Sequence, residues 1–166
     1  RDEAMSIIDQ NQKQGLVLQP SNTEKADFIC SCCGCCCAML DVHKNIPKPL
    51  DFWASNFQAA VDTNTCEGCG TCEEWCQVGA VRVYENKQQA VVDLNRCLGC
   101  GVCVSNCPTE SISLFKKPTE VRPPQTREDL YETIMAGKKG RLGKLKLTGK
   151  IFIDAVRTGQ TNLLKF

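Results

Sequence analysis

Six cysteines crowd the eight positions from Cys30 to Cys37, in DFICSCCGCCCAML, and eight more recur farther along at regular offsets. The run is too dense for a disulfide framework, because adjacent cysteines seldom meet in the geometry a disulfide requires. Packing is a poor explanation too, since several neighbouring thiols would all need burial or protection from oxidation. Thiolates grip iron–sulfur clusters, zinc and other soft metals, so metal binding is the chemistry to weigh first.

The other eight cysteines form a repeat. CEGCGTCEEWCQVGAVRVY, Cys66 to Tyr84, is answered by CLGCGVCVSNCPTESISLF, Cys97 to Phe115, at an offset of 31 residues. Each copy reads C-x2-C-x2-C-x3-C, then a small-residue turn, then a short alternating strand. AVDTNT precedes the first copy and AVVDLN the second, which implies a pseudo-twofold unit built by duplication. A C-x2-C-x2-C loop wraps three thiolates around a small cluster, and the fourth comes from elsewhere in the chain. Gly68, Gly70, Gly99 and Gly101 let the backbone approach closely and turn its N–H groups toward sulfur. Zinc is the competing reading, since C-x2-C pairs also bind it. Zinc usually needs only two such pairs, however, and each copy here carries a third and a fourth cysteine.

This segment resembles the bacterial two-cluster [4Fe–4S] ferredoxins of the clostridial type, over residues 61–115, about a third of the chain. The resemblance implies an α+β, ferredoxin-like fold holding two [4Fe–4S] clusters. It also implies crossed ligation: Cys66, Cys69, Cys72 and Cys107 on one cluster, and Cys97, Cys100, Cys103 and Cys76 on the other. One departure is visible. Pro108 follows the fourth cysteine of the second copy, but Gln77 follows that of the first, and unequal potentials are expected from the difference. Seven acidic residues against three basic ones in 61–115 disfavour an added electron and point to low potentials, of the order of −400 mV or lower. Trp75 and Phe115, beside the ligands, are expected to shield and pack rather than to relay electrons.

Within the run, Cys30, Cys33 and Cys36 repeat the C-x2-C-x2-C spacing with Gly34 in the middle, so a third iron–sulfur cluster is expected there. Six thiols, Cys30, Cys32, Cys33, Cys35, Cys36 and Cys37, exceed the four a cubane needs. The alternatives are a larger cluster, a cubane with a resolving thiol, zinc or another small metal, and reactive thiols without metal. The motif loosely resembles the cysteine- and glycine-rich motifs of heterodisulfide-reductase-type subunits. The whole arrangement resembles multi-cluster ferredoxin-like proteins of anaerobic bacteria. Asp41 and His43 are further candidate ligands, weighed against a surface histidine in a Lys–Asn loop.

The elements that must position these residues are short. Glu3–Gln14 reads as a helix stopped by Gly15, and GLVLQP as a strand. Pro47 and Pro49 mark a boundary, and Phe52, Trp53 and Phe57 suggest one apolar face of a turn or helix. ENKQQ is turn-like. After the proline-rich KKPTEVRPPQ, Thr126 caps a helix, REDLYETIMA, that ends at Gly137. GKKGRLGK reads as a flexible basic stretch, and LKLTGKIFIDAVRTG fits helix or strand. The expected divisions are 1–50, a cysteine-rich metal-binding extension; 51–117, the ferredoxin domain; and 118–166, a linker and basic helical tail.

Charge is uneven: residues 1–115 carry net −6 and residues 116–166 net +7. Residues 137–150 hold six Lys/Arg and no Asp/Glu. The tail reads as an arm that docks on an acidic redox partner or on the chain's own acidic body, with an anionic membrane surface as a further candidate and no nucleic acid expected. Gly143-Lys144 and Gly149-Lys150 lack the earlier glycine of a phosphate loop, no dinucleotide fingerprint is present, and no Ser–His–Asp set is expected around the single histidine. No apolar run approaches the roughly 20 residues of a membrane span and no leader pattern argues for secretion, and the load of fourteen thiols leads to the expectation of a reducing, anaerobic cytoplasm. The chain opens on Arg1 rather than Met, as a trimmed piece of something longer would. The expected function is one-electron transfer to or from a protein partner. The alternative is a redox enzyme or enzyme subunit whose Cys30–Cys37 site reduces a disulfide or small molecule.

Overall fold

The structure, a computed structural model, describes residues 1–51, 53–84, 88–137 and 140–159. Among the described residues it is a mixed helix-and-sheet protein built from three two-stranded antiparallel sheets with short helices between and around them. Helix α1 spans Asp2–Lys13 and ends at Gly15, whose positive φ of 74° suits a residue without a Cβ. Strand β1, Val17–Pro20, pairs with β2, Ile29–Cys32, so the cysteine run opens as a strand. Period-two alternation then puts Cys30 and Cys32 on one face and Ile29 and Ser31 on the other. Helix α2, Ala38–Asn45, follows directly, with Cys37 as its N-cap. Neither element was foreseen, because the cysteines carry no hydrophobic periodicity.

The central segment carries the two remaining sheets. Strand β3, Phe57–Val61, pairs with β6, Ile112–Lys116, and β4, Val81–Tyr84, pairs with β5, Gln89–Val92. The segment ahead of the first cysteine loop thus bonds to the strand after the second loop. Short helices α3, Thr71–Glu74, and α4, Val102–Ser105, start at Gly70 and Gly101, both left-handed. The strands expected from AVRVY, AVVDLN and SISLF are all present. The Phe52–Phe57 region differs: a single 3-10 turn covers Pro49–Asp51, and Phe57 opens β3 instead of joining a helical face. Phe52 itself, and Glu85–Lys87 of the expected turn, lie outside the described residues.

The core is small and made largely of small side chains. Ala59, Val78, Ala80, Val81, Ala90, Val102 and Ile112 cluster with the buried Cys72, Cys97 and Cys103. Val17 and Leu40, from β1 and α2, belong to the same cluster. The N-terminal segment therefore shares the core of the central segment.

In the tail, α5, Arg127–Ala136, begins with a full capping box between Thr126 and Asp129 and ends at Gly137, as expected. Helix α6, Arg141–Arg157, resolves the ambiguous segment as helix. It also takes in the second half of GKKGRLGK, where the sequence suggested a flexible stretch; Lys138 and Lys139 lie outside the described residues. The helix lies against the Lys48–Asp51 turn through two reciprocal ion pairs: Lys150 bonds Asp51, and Lys48 reaches the buried Asp154 at 3.3 Å. Among the described residues no helix is long and apolar enough to cross a membrane.

Candidate metal centre

All fourteen cysteines are free thiols. Eight of them line two cavities in the central segment. One is bounded by Cys66, Cys69, Cys72 and Cys107, together with Gly68, Gly70 and Ala90. The other is bounded by Cys76, Cys97, Cys100 and Cys103, together with Ala59, Ala80 and Gly101. Each cavity draws three cysteines from one loop and the fourth from the other copy.

Glycine makes the loops fit. At Gly68, with φ of 65°, a Cβ would stand 2.4 Å from the Gln88 carbonyl oxygen beside β5. At Gly99, with φ of 66°, it would stand 2.2 Å from the carbonyl oxygen of Phe57 in β3. Both the close approach and the left-handed backbone exclude a side chain. The same strands donate to sulfur: Ala90 N–H lies 3.5 Å from Cys66 Sγ, and Ala59 N–H lies 3.4 Å from Cys97 Sγ.

The two fourth cysteines are supported differently. Cys76 Sγ accepts the Ala80 N–H at 3.1 Å. Cys107 Sγ lies 3.4 Å from Ser111 Oγ and 3.6 Å from Thr109 Oγ1. Burial pushes the Cys107 thiol up, but these hydroxyls and the backbone N–H groups of Thr109 and Ser111 outweigh it and bring it down to about 7. Ser111 and Thr109 stand where the first copy has Ala80 and Val78, so aligning the repeats position by position would have exposed them.

Elsewhere burial dominates. It pushes Cys72 up to about 11, helped by the charges of Cys66 and Cys69. It pushes Cys103 up to about 12, helped by Cys100, Cys76 and Cys97. Cys100 is also raised, first by burial and then by Cys76 and Cys97 against the opposing N–H of Val102. Burial and neighbouring cysteine charge work against the thiolates of Cys72, Cys100 and Cys103, and a positively charged iron–sulfur core between the thiols would offset that charge. Among the described residues only Cys33, Cys35 and Cys36 bring three ligand atoms within 4.8 Å of one another. No three of the cavity-lining thiols come that close together.

The run divides in two. Cys33 Sγ lies 2.8 Å from Cys35 Sγ, which lies 3.5 Å from Cys36 Sγ. Cys32 instead interacts with Cys37 and Cys30, and burial together with these thiols pushes it up to about 11. The division departs from the Cys30, Cys33, Cys36 grouping that spacing suggested, because strand β2 turns Cys30 toward the face of Cys32. Hydrogen bonds from Cys35 and Cys36 lower Cys33 to about 7, while the same contacts raise Cys35 to about 11. Cys37 is lowered by the N–H of Leu40 in the first turn of α2.

His43 corrects an expectation. It sits in α2, not in a surface loop, and is 1% exposed. Its ring meets Trp53 edge-on at 5.6 Å, and neither ring nitrogen has a hydrogen-bond partner. Burial, with the nearby Arg96 charge, lowers it to about 4, so it is neutral. Asp41 is exposed and accepts from Asn45. Trp75 is half-buried over Gly15, where a Cβ would meet its ring at 2.3 Å, so it packs the N-terminal turn. Phe115 faces outward, 37% exposed.

Sequence reasoning missed Arg96. Its guanidinium donates to the carbonyl oxygens of His43, Lys44 and Ile46 at the end of α2. No local pattern announces a contact some fifty residues away. Residues 59–114 match the family model described as a 4Fe-4S dicluster domain, which makes this segment an iron–sulfur, ferredoxin-like domain. No curated protein matches the chain.

Proposed function

We propose that the protein is an electron carrier with two [4Fe–4S] clusters, held by Cys66, Cys69, Cys72 and Cys107 and by Cys97, Cys100, Cys103 and Cys76. The two halves then form one pseudo-twofold unit of the clostridial ferredoxin type. The observation that carries the reading is the pair of cavities, each bounded by four thiols drawn from both copies. When bound, the clusters supply reversible one-electron chemistry at low potential. The chain fixes the sulfur positions, excludes water from the ligands with Ala and Val side chains, and aims N–H and O–H groups at the thiolates. Donors stabilise the more negative, reduced state, so the hydroxyls at Cys107 favour a higher potential on that side.

The run forms a third metal site in this reading. Three thiols within 4.8 Å suit one thiophilic ion, iron or zinc, better than a further cubane. The tail is a docking arm. On α6 the exposed Leu142, Leu145, Phe152, Ile153 and Val156 fall on one face, with Lys146 and Arg157 beside it, while Asp154 and Ala155 face the body. That surface suits an acidic redox protein, and an anionic membrane is the other candidate. A cytoplasmic, oxygen-poor setting fits fourteen free thiols.

A second reading is favoured by the exposed Cys35 beside Cys33: a dithiol that takes up two electrons and two protons when its disulfide is reduced. Metal and sulfide analysis with EPR of anaerobically purified protein tests both. About eight irons and eight sulfides, with two interacting reduced signals, are expected from the ferredoxin-like domain. Cys107→Ser and Cys76→Ser should each perturb a different signal; both perturbing the same one would sink the crossed assignment. Metal retained by the Cys33, Cys35, Cys36→Ser variant at the wild-type level would favour the dithiol.

A further inference from the structure

The residues flanking two cysteines of one cavity reach into the N-terminal segment. Gln77 follows Cys76. Its Oε1 accepts the Gly34 N–H at 2.7 Å and its Nε2 donates to Gly15 O at 3.0 Å. Gly34 is the residue between Cys33 and Cys35, and Lys44 Nζ holds its carbonyl at 2.7 Å. A Cβ on Gly34 would lie 2.5 Å from both Gln77 O and Lys44 Nζ, so the loop is pressed onto the residue next to Cys76. Arg96 precedes Cys97. Its guanidinium carries the end of α2, donating to the carbonyl oxygens of Ile46 and Lys44. Trp75, on the other side of Cys76, covers Gly15.

The other cavity is treated differently. After Cys107 comes Pro108, which offers no N–H and no polar side chain. Thr109 and Ser111 bond Cys107 and, at 3.0 Å, each other.

We propose that Gln77 and Arg96 are positioning residues that couple the Cys33, Cys35 and Cys36 site to the Cys76, Cys97, Cys100 and Cys103 set alone. The inference rests on the reading that both cavities hold clusters. Thiolate charge at the run opposes electron addition at the nearer cluster, through a partly buried path where screening is weak. Coupling of this kind is reciprocal: a cation that offsets thiolate charge in the run raises the potential of the nearer cluster, and reducing that cluster tightens the run's hold on its ion by the same factor. Metal occupancy of the run thus sets the driving force available at one cluster and not at the other. Gln77 is the departure from the proline that the second copy carries, and its polar side chain makes the link.

The test is an EPR-monitored redox titration of the full chain, purified anaerobically, with metal content measured on the same samples. Ser111→Ala assigns the two titration waves, because it removes a donor to Cys107 only. Replacing Cys33, Cys35 and Cys36 by serine should move the other wave to higher potential and leave the Cys107-side wave in place. In a Gln77→Ala background that difference should collapse, and Arg96→Gln should reduce it. Alkylation of Cys33, Cys35 and Cys36 by iodoacetamide should also quicken by about fivefold in Gln77→Ala, the value of one lost hydrogen bond. Gln77→Ala leaves every thiol in place, so it remains readable if Arg96→Gln fails to fold. Both waves unmoved by the serine variant, or moved together, would overturn the coupling. A moved wave with unchanged metal content would instead remove the ion from the run and leave coupling by bare thiolates standing.

Discussion

The two populations of cysteine solve the same chemical problem in opposite ways. The eight of the central segment are spread over 42 residues, backed by left-handed glycines and aimed into two cavities among Ala and Val side chains. The six of the run occupy eight positions, three of them exposed, and are held by a strand, a helix N-cap and one glycine. In the proposed function, the spread cysteines bind a group that becomes part of the core, and the crowded ones bind something the core can do without. That contrast predicts which perturbations the fold will survive.

The largest effect should come from removing the clusters. The core has few large apolar side chains, so chelation after mild oxidation should abolish the cooperative thermal transition seen by circular dichroism. Stripping the run alone, in the Cys33, Cys35, Cys36→Ser variant, should leave that transition within a few degrees of wild type. A comparable collapse in both would erase the contrast.

Next in size, Gly99→Ala forces a Cβ to within 2.2 Å of the Phe57 carbonyl and into a backbone region that costs any other residue about 1–3 kcal/mol. It should fail to hold the cluster on the Cys97 side, with loss of about half the iron. Gly34→Ala, also tight but not left-handed, should instead free the run while both clusters stay, read as normal iron content with faster thiol alkylation.

His43 sharpens the comparison through pH. Its folded pKa of about 4 lies below its ordinary 6.5, so the unfolded chain binds the extra proton between those values. Stability is therefore full above pH 6.5 and falls as pH drops toward 4, by about 3 kcal/mol at the limit. The groups facing it are Trp53 and the Arg96 charge, which works in the same direction. Chemical denaturation at pH 7 and pH 5 should show the loss in wild type and a much smaller one in His43→Phe.

The smallest effect is Ser111→Ala. Removing one hydroxyl donor from Cys107 should lower the potential of that cluster by about 40 mV, the equivalent of one net hydrogen bond. Thr109 remains as the second donor, so a shift much beyond that would mean that the cavity itself had changed.

What the sequence made legible was local. The repeat, its glycines, the strands after each loop and the Thr126 cap all follow from residues within a few positions of one another. The pairing of β3 with β6 and the place of α2 do not. Nothing near His43 says that it is buried, because its cover comes from Trp53, and nothing near Gln77 says that its partner is Gly34, forty-three residues earlier. The run looked like a third loop of the same type because its spacing can be read that way, but a strand register overrode the spacing. Contacts across long separations carry no pattern in a single sequence.

Val17 and Leu40 lie in the core that the later residues build, and the straps on Gly34 and the end of α2 come from Gln77 and Arg96. The consequence is an order of maturation. The run leaves the ribosome before its anchors: Gln77 and Arg96 are made only 40 and 59 residues after Cys37, and Cys97, Cys100 and Cys103 follow Arg96 directly. Its six thiols therefore wait without those anchors while the chain behind them is finished. The last of the cysteine segments to be seated is the first of them to be synthesised, and that interval is when the nascent protein is most open to oxidation.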